Sequence, residues 1–339
     1  MSWMGLLALA GCDALREEAG IDARQWRFAI EETAGSVQHE YALRFKDLIE
    51  EKSGGAIEVS IYTYGTLGTS DQVTELLAMG PIQFAFASPG HLGTLIPEVQ
   101  AFLLHFLFDD DPLVNNRALR DPRLLAAFDP LYAEKGLKLL SVIDEGWMVW
   151  TTDRPIRRPE DFSGVRVRVM TSPLLLAAYS AYGSSPTPLP YGEVYGALQL
   201  NMIDAQVNPV FAIQEMGFYE VSDYMIFAHH LPFIATAAAN REFFDGLDGE
   251  TRAMVLETIE QLHDYIFDLQ IDYNLRRLEM ILNRKPGMNV IERLSEEERD
   301  LFREASLPVR ERFLRMTGER GRVALGEIQN ALDRARESL

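Results

Sequence analysis

Arginine occurs at alternate positions in Val165-Arg166-Val167-Arg168-Val169, and that spacing is the first chemical signal in the chain. On a β-strand alternate side chains share a face, so the three valines mark a core side and both guanidinium groups point the other way. An arginine turned away from water needs a partner or an open cleft. Its planar fork is shaped to hold a carboxylate through two parallel hydrogen bonds. Periodicity alone does not separate Arg166 from Arg168. Arg168 stands nearer the carboxyl end of the strand, just before Thr171-Ser172-Pro173, and open α/β sheets hold ligands at that end. We therefore expect Arg168 to grip an acid group.

The constellations of covalent chemistry are missing from the sequence. There is no H-E-x-x-H, no paired C-x-x-C, no G-x-G-x-x-G after a strand, no G-x-x-x-x-G-K-[ST] and no G-x-S-x-G. His229-His230, read as part of a strand, would point to opposite faces and could not share a metal. Asp109-Asp110-Asp111 before Pro112 reads as a solvated loop. The expectation is a binding protein with no catalytic residue, no cofactor and no metal.

The elements that would position Arg168 alternate. Trp26 to Glu32 reads as a strand, Val37 to Lys52 as a helix stopped by Ser53-Gly54-Gly55, and Ala56 to Tyr62 as a second strand. Asp71 to Met79 is a short helix with Asp71 as its cap, and Ile82 to Ala87 a third strand. Two strands follow between Leu137 and Thr152, another over Val165 to Met170, and an extended segment over Pro186 to Tyr191. This order implies an α/β fold with largely parallel sheets. From Thr251 apolar residues keep helical spacing to Arg284, with either one helix or two collinear ones broken near Asp272. A helix of about 34 residues is about 50 Å long, more than one small domain is wide, so it would lie across two lobes. Ser295-Glu296-Glu297-Glu298 opens further helices.

With 339 residues the chain has room for two cores. It carries 51 acidic against 32 basic residues, a net charge of −19, which disfavours nucleic acid and anionic lipid as partners. The apolar start is too short to span a bilayer. It ends in Leu9-Ala10-Gly11-Cys12, where the chain's one cysteine follows small residues. We read 1–11 as a lipoprotein-type signal, although Met1-Ser2-Trp3-Met4 has no positive charge, Cys12 as the lipidation site, and 12–25 as a polar tether. Such a protein would be periplasmic and held at the inner membrane.

Longer motifs carry a resemblance. Asp161-Phe162-Ser163-Gly164 leading into the arginine strand, Pro188-Leu189-Pro190-Tyr191-Gly192-Glu193-Val194-Tyr195-Gly196-Ala197-Leu198-Gln199 and Ile203-Asp204-Ala205-Gln206-Val207-Asn208-Pro209 resemble the solute-binding proteins of TRAP transporters. Gly65-Thr66-Leu67-Gly68 and Ser88-Pro89-Gly90 fit the same pattern, and the match runs in order from about Trp26 to the C-terminus. The resemblance implies a two-lobe periplasmic binding protein of type II-like architecture, with a long helix bridging the lobes and a cleft between them. Lobe I would comprise 26–150 plus 236–270, and lobe II 151–235 plus 271–339. The partners implied are a small solute and the membrane permease subunits.

Trp26-Arg27-Phe28-Ala29-Ile30-Glu31-Glu32, Pro188 to Leu198 and Phe313 to Glu319 are most similar to the ectoine-binding branch. That resemblance implies that Arg168 and Asn208 hold a carboxylate, that Glu32 faces a cationic ring, and that Tyr191, Phe211 and Phe233 are walls. Glu31, on the other strand face, is the alternative to Glu32. His91 stands where the branch has Phe, Tyr191 where it has Trp, and Ala212 and Val207 replace an aromatic and a glutamate. Met148 stands where many carboxylate-binding relatives carry a second arginine. The implied ligand is a small carboxylate-bearing zwitterion, hydroxyectoine included, rather than sialic acid or a simple dicarboxylate. The rivals are a sensor lipoprotein and a two-lobe enzyme with Glu32 as base.

Overall fold

The computed structural model describes residues 23–339. The signal segment 1–11, Cys12 and most of the tether lie outside the described residues.

The first strand, β1 (Arg24–Ala29), buries Trp26 and Phe28 and stops three residues short of the expected end. Ser36 then caps α1 (Val37–Lys52) by accepting the His39 N–H. The chain reverses at Gly54 and Gly55, both with positive φ, into β2 (Ile57–Tyr62). The next helix, α2 (Ser70–Met79), is capped by Thr69 in a capping box with Gln72, not by Asp71. After β3 (Phe84–Phe86) come three short helices, α3 (Pro89–Leu92), α4 (Pro112–Leu119) and α5 (Pro122–Ala133). The chain continues through β4 (Leu137–Trp147), β5 (Val149–Thr152), β6 (Arg166–Val169), α6 (Pro173–Ala181), β7 (Ser185–Pro188), α7 (Val194–Gln199), β8 (Ala205–Asn208), α8 (Val210–Glu215) and β9 (Tyr224–Ile226). It closes with β10 (Pro232–Asn240), α9 (Arg241–Asp245), α10 (Gly249–Arg284), β11 (Asn289–Ile291) and α11 (Glu296–Glu337).

Two sheets result, ordered β2-β1-β3-β10-β4 and β11-β9-β5-β8-β6-β7. Parallel pairs (β1 with β2 and β3, β6 with β7 and β8) are broken by one antiparallel strand in each sheet, β10 between β3 and β4, and β5 between β8 and β9. The sheets are therefore mixed rather than largely parallel. In each sheet the antiparallel strand comes from a stretch that has just crossed from the other lobe. The crossings are short: Met148 alone separates β4 from β5, and five residues separate β9 from β10.

One continuous helix, α10, spans 36 residues with no break near Asp272. At 1.5 Å per residue it is about 54 Å long. It packs on α1 and β4 of the first lobe and on α8 of the second. Arg277 marks the join, donating to the Gly35 carbonyl on one side and to Gln214 on the other. The last helix, α11, begins with the expected capping box at Ser295 and kinks at Gly318, whose φ is +62°. It lies on α6 and also on α4 and α5. Arginines bind it down: Arg334 to Asp121, Arg336 to Asp109, and Arg299, with Arg293 just ahead of the helix, to Asp110. Asp111 caps α4 by accepting the Leu113 N–H. The acidic triplet lies in a loop with Asp110 and Asp111 exposed, as expected, and Asp109 and Asp110 also anchor the C-terminal segment.

Candidate functional site

Between the lobes, twelve residues line a narrow cavity. The walls come from the segments that follow β1 (Glu31, Glu32), β3 (Ser88, His91), β6 (Met170) and β8 (Pro209), with Arg168 and Asn208 inside the last two strands. These are the carboxyl ends of parallel strands in both sheets, where backbone groups leave the ladder and side chains are free to converge. Phe233 joins them because β10 runs antiparallel and so starts at that same end.

The two arginines of β6 part company here. Arg166 is bound through Nε and Nη2 to Asp204, with 43% of its side chain exposed. Arg168 is 2% exposed and has no carboxylate within ion-pair distance among the described residues. Its Nε and Nη2 donate to one acceptor, the Leu189 carbonyl, at 3.0 and 2.8 Å. That clamp fixes the plane of the guanidinium. Burial lowers its pKa to about 10, so it remains a cation at neutral pH. Asn208, on the adjacent strand, is held by donating to Gln206 Oε1. A fixed cation with a neighbouring amide is a carboxylate-binding arrangement.

Both Glu31 and Glu32 face the cavity, which strand alternation would forbid. β1 has ended at Ala29, and the chain is turning toward α1, so alternation no longer applies. Gln38, in the first turn of α1, organises the turn. Its side-chain carbonyl accepts the Glu31 N–H, and its own N–H donates to Glu32 Oε2. Glu31 Oε2 accepts the Ser88 N–H, while Glu31 Oε1 is buried without a partner. Burial raises both carboxyls above the usual range, Glu32 strongly, with Glu145 beside it adding to the effect. This end of the cavity favours a cation.

Tyr191 and Phe233 form the walls between the two ends. The Tyr191 ring meets Tyr64 edge-on at 5.5 Å, and its hydroxyl is buried with no partner. His91 lines the cavity and reaches across the cleft: its Nδ1 lies 3.3 Å from Thr171 Oγ1 and 3.5 Å from Asp71 Oδ1, and Thr171 itself donates to Asp71. The lobes also meet at Gly90, where a Cβ would come within 2.4 Å of Met170 Sδ. Gly90→Ala is therefore expected to oppose this closed contact. Overpacking costs about 1–3 kcal/mol, so ligand affinity should fall about ten-fold or more, and Met170→Ala in the same chain should restore part of it. Titration calorimetry on the single and double variants measures this.

Arg168, Asn208, Glu32, Tyr191, Phe233 and His91 are thus brought together, and Phe211 is not. Phe211 is fully buried in the second lobe's side of the core, because the first turn of α8 points Ala212, one residue on, into the cavity. Sequence reasoning did not find Ser70, Ser88, Met170 or Pro209 as lining residues. Ser88 lay inside a quoted motif, and Met170 ended the arginine strand, so adjacency was the available signal. Met148 is buried outside the cavity. His229 and His230 lie between β9 and β10 rather than on a strand. His229 stacks on Trp147, and His230 bonds Trp150 and Tyr179 in the core.

With the cavity defined, similarity to known proteins can be weighed. Residues 28–316 match the family described as "Bacterial extracellular solute-binding protein, family 7". The chain belongs to that family. Among family 7 proteins it is 39% identical to the ectoine/5-hydroxyectoine-binding periplasmic protein UehA of Ruegeria pomeroyi, over 96% of this chain and 95% of that one. It is also 39% identical to the ectoine-binding periplasmic protein TeaA of Halomonas elongata, over 90% and 89%. The crystal structure of TeaA superposes with a TM-score of 0.88 at 38% identity, covering 91% of this chain and 99% of TeaA. A TRAP periplasmic solute-binding protein of Marinobacter aquaeolei VT8, in an apo open structure, superposes at 0.85 with 46% identity, over 90% and 99%. The fold is that of two-lobe family 7 receptors, as its sequence motifs imply, and the protein is a periplasmic solute receptor of the TRAP type. Among the described residues no helix is long and apolar enough to cross a membrane.

Proposed function

We propose that this receptor captures a small zwitterion of the ectoine type and delivers it to TRAP membrane permease subunits. One observation carries the reading: a buried arginine with no carboxylate partner among the described residues faces buried glutamates across the cavity. Ectoine pairs a carboxylate with a delocalised amidinium. Arg168 and Asn208 take the carboxylate, Glu32 and Glu31 take the amidinium, and Tyr191 and Phe233 cover the ring edges. The relatives named for ectoine binding support this choice of solute. His91 and Thr171 latch the lobes over the ligand.

The receptor does no covalent chemistry in this reading. Among the described residues no hydrogen bond joins Ser70 or Ser88, the two lining serines, to a histidine. We draw the lobes as 26–150 plus 236–270 and 151–235 plus 271–339, with α11 clasping both, and place the molecule at the inner membrane through a lipid on Cys12.

Titration calorimetry against ectoine, hydroxyectoine, glycine betaine and succinate tests the solute class. The ectoines are expected to bind between about 1 µM and 1 nM, which corresponds to about −8 to −12 kcal/mol. Succinate should bind at least about 100-fold more weakly, because its second carboxylate would meet the glutamates without a counter-charge. The reverse order would exclude the zwitterion reading.

A further inference from the structure

Behind the lining glutamates lies a carboxyl that no motif marks. Glu145, on β4, is fully buried and does not itself line the cavity. Its Oε1 accepts a hydrogen bond from Gln38 Nε2, the same Gln38 whose backbone N–H donates to Glu32. Its Oε2 is buried with no donor in reach. Gln38 bridges the two acids and so sets the carboxyl of Glu32 beside Glu145. Two carboxylates cannot hydrogen-bond each other; a carboxylate and a carboxylic acid can. One proton between Glu32 and Glu145 satisfies the orphaned oxygen and removes a like-charge clash in the same stroke.

The surroundings support that count. From the turn after β1 come Glu31 and Glu32, from α1 Gln38 and Ser36, from β4 Glu145 and Asp144, and from α8 Glu215. The cations facing them are Arg277 on α10, which pairs with Glu215 at 3.4 Å, and Arg168 across the cavity beside Tyr191. His91 faces Glu31 from α3, with Asp71 of α2 beyond it. Three buried carboxyls, Glu31, Glu32 and Glu145, with the part-buried Asp144 and Glu215 near them, thus have two permanent cations in reach. Burial and these neighbours push the Glu145 and Glu215 carboxyls up to about 8, and Glu215 already has its arginine and the Thr33 hydroxyl.

We propose that Glu145 is a positioning residue for cation recognition: it shares a proton with Glu32 in the ligand-free receptor, and the pair gives that proton up to solvent when a cationic group docks on Glu32. This rests on the zwitterion reading above. The acid–carboxylate pair becomes two carboxylates, the ligand's positive charge on the cavity side of Glu32 offsets the lost proton, and one proton leaves for the buffer. The ligand-free site is thereby neutralised without a bound metal ion, and capture becomes linked to pH. The linkage has a definite sign. The free site holds the proton more tightly than the occupied one, so affinity rises with pH while the free pair is protonated and levels off once it has lost its proton.

The test is titration calorimetry of ectoine at pH 7 in phosphate and in Tris, whose ionisation enthalpies differ, on the wild type, Glu145→Gln and Glu145→Asp, each with a matched thermal melt. The wild type should release about 0.5–1 proton per ectoine bound, and its affinity should rise up to about ten-fold per pH unit while the free pair is protonated. Glu145→Gln, close in shape, should bind ectoine with release near zero and a flat pH profile, whereas Glu145→Asp should keep part of the release. Zero release by the wild type would overturn the proposal while leaving the zwitterion reading intact. Equal release by wild type and Glu145→Gln would overturn the role of Glu145. Failure of the wild type to bind ectoine at all would remove the zwitterion reading, and the proposal with it.

Discussion

Replacing Arg168 by alanine is expected to abolish ectoine capture, with affinity lowered by at least about 100-fold. The effect is large because the site supplies no substitute cation. Arg277 is committed to Glu215, Gln214 and Gly35, and Arg166 to Asp204. Removing one member of a desolvated charge pair costs about 2–5 kcal/mol, and each 1.4 kcal/mol is about ten-fold. The ligand-free protein should tolerate the change well. The variant loses two hydrogen bonds to the Leu189 carbonyl, but it also loses a buried charge that no carboxylate balances. A melting temperature within a few degrees of wild type, with binding gone, separates a lost contact from a lost fold. Arg166→Ala is the control. Its side chain is half-exposed and turned to Asp204, so ectoine affinity should stay within about two-fold. Fluorescence titration on the three proteins measures all of this.

Glu32→Gln is expected to invert the selectivity of the site. The amide keeps the shape and can still accept the Gln38 N–H, but it offers no charge to an amidinium. Ectoine affinity should fall by about 2–5 kcal/mol, the cost of stripping one partner from a buried ion pair. Acetate and succinate, bound only through Arg168 and Asn208, should keep or improve their weak affinity, because one source of repulsion is gone. A uniform loss for every ligand would mean that Glu32 supports the fold of the cleft rather than the charge of the ligand. Competition titrations with the ectoines and the two simple anions distinguish these outcomes.

The contrast between neighbouring residues explains what was legible in the sequence. Valine alternation placed β6 and narrowed the carboxylate ligand to two arginines, and nearness to the carboxyl end of the strand chose Arg168; the structure adds the reason Arg166 is excluded, its pairing with Asp204. Helical spacing gave α10 nearly to the residue, since a long apolar-periodic stretch with no Gly or Pro after Gly249 has few other solutions. Strand β10 was not foreseen. Its core, Ala235-Thr236-Ala237-Ala238-Ala239, has weak strand propensity and is held by pairing with β3 and β4, contacts distant in sequence. Glu31 was misplaced because strand periodicity says nothing about side chains beyond the strand's end, where the cleft is built; Phe211 was carried over from the resemblance, and its neighbour Ala212 is the residue that lines the cavity. Glu145 was invisible because a lone acid on a strand looks solvated until the fold buries it beside Glu32.

The central claim is an orientation, with the acid group of the solute on Arg168 and its cation on Glu32. A crystal structure of the receptor grown with ectoine measures it directly. The account requires the carboxylate within about 3 Å of the Arg168 guanidinium and of Asn208, and the amidinium nitrogens against Glu32 and Glu31, with Gly90 still closed on Met170. Ectoine bound the other way round, or density for it anywhere outside this cleft, would contradict it.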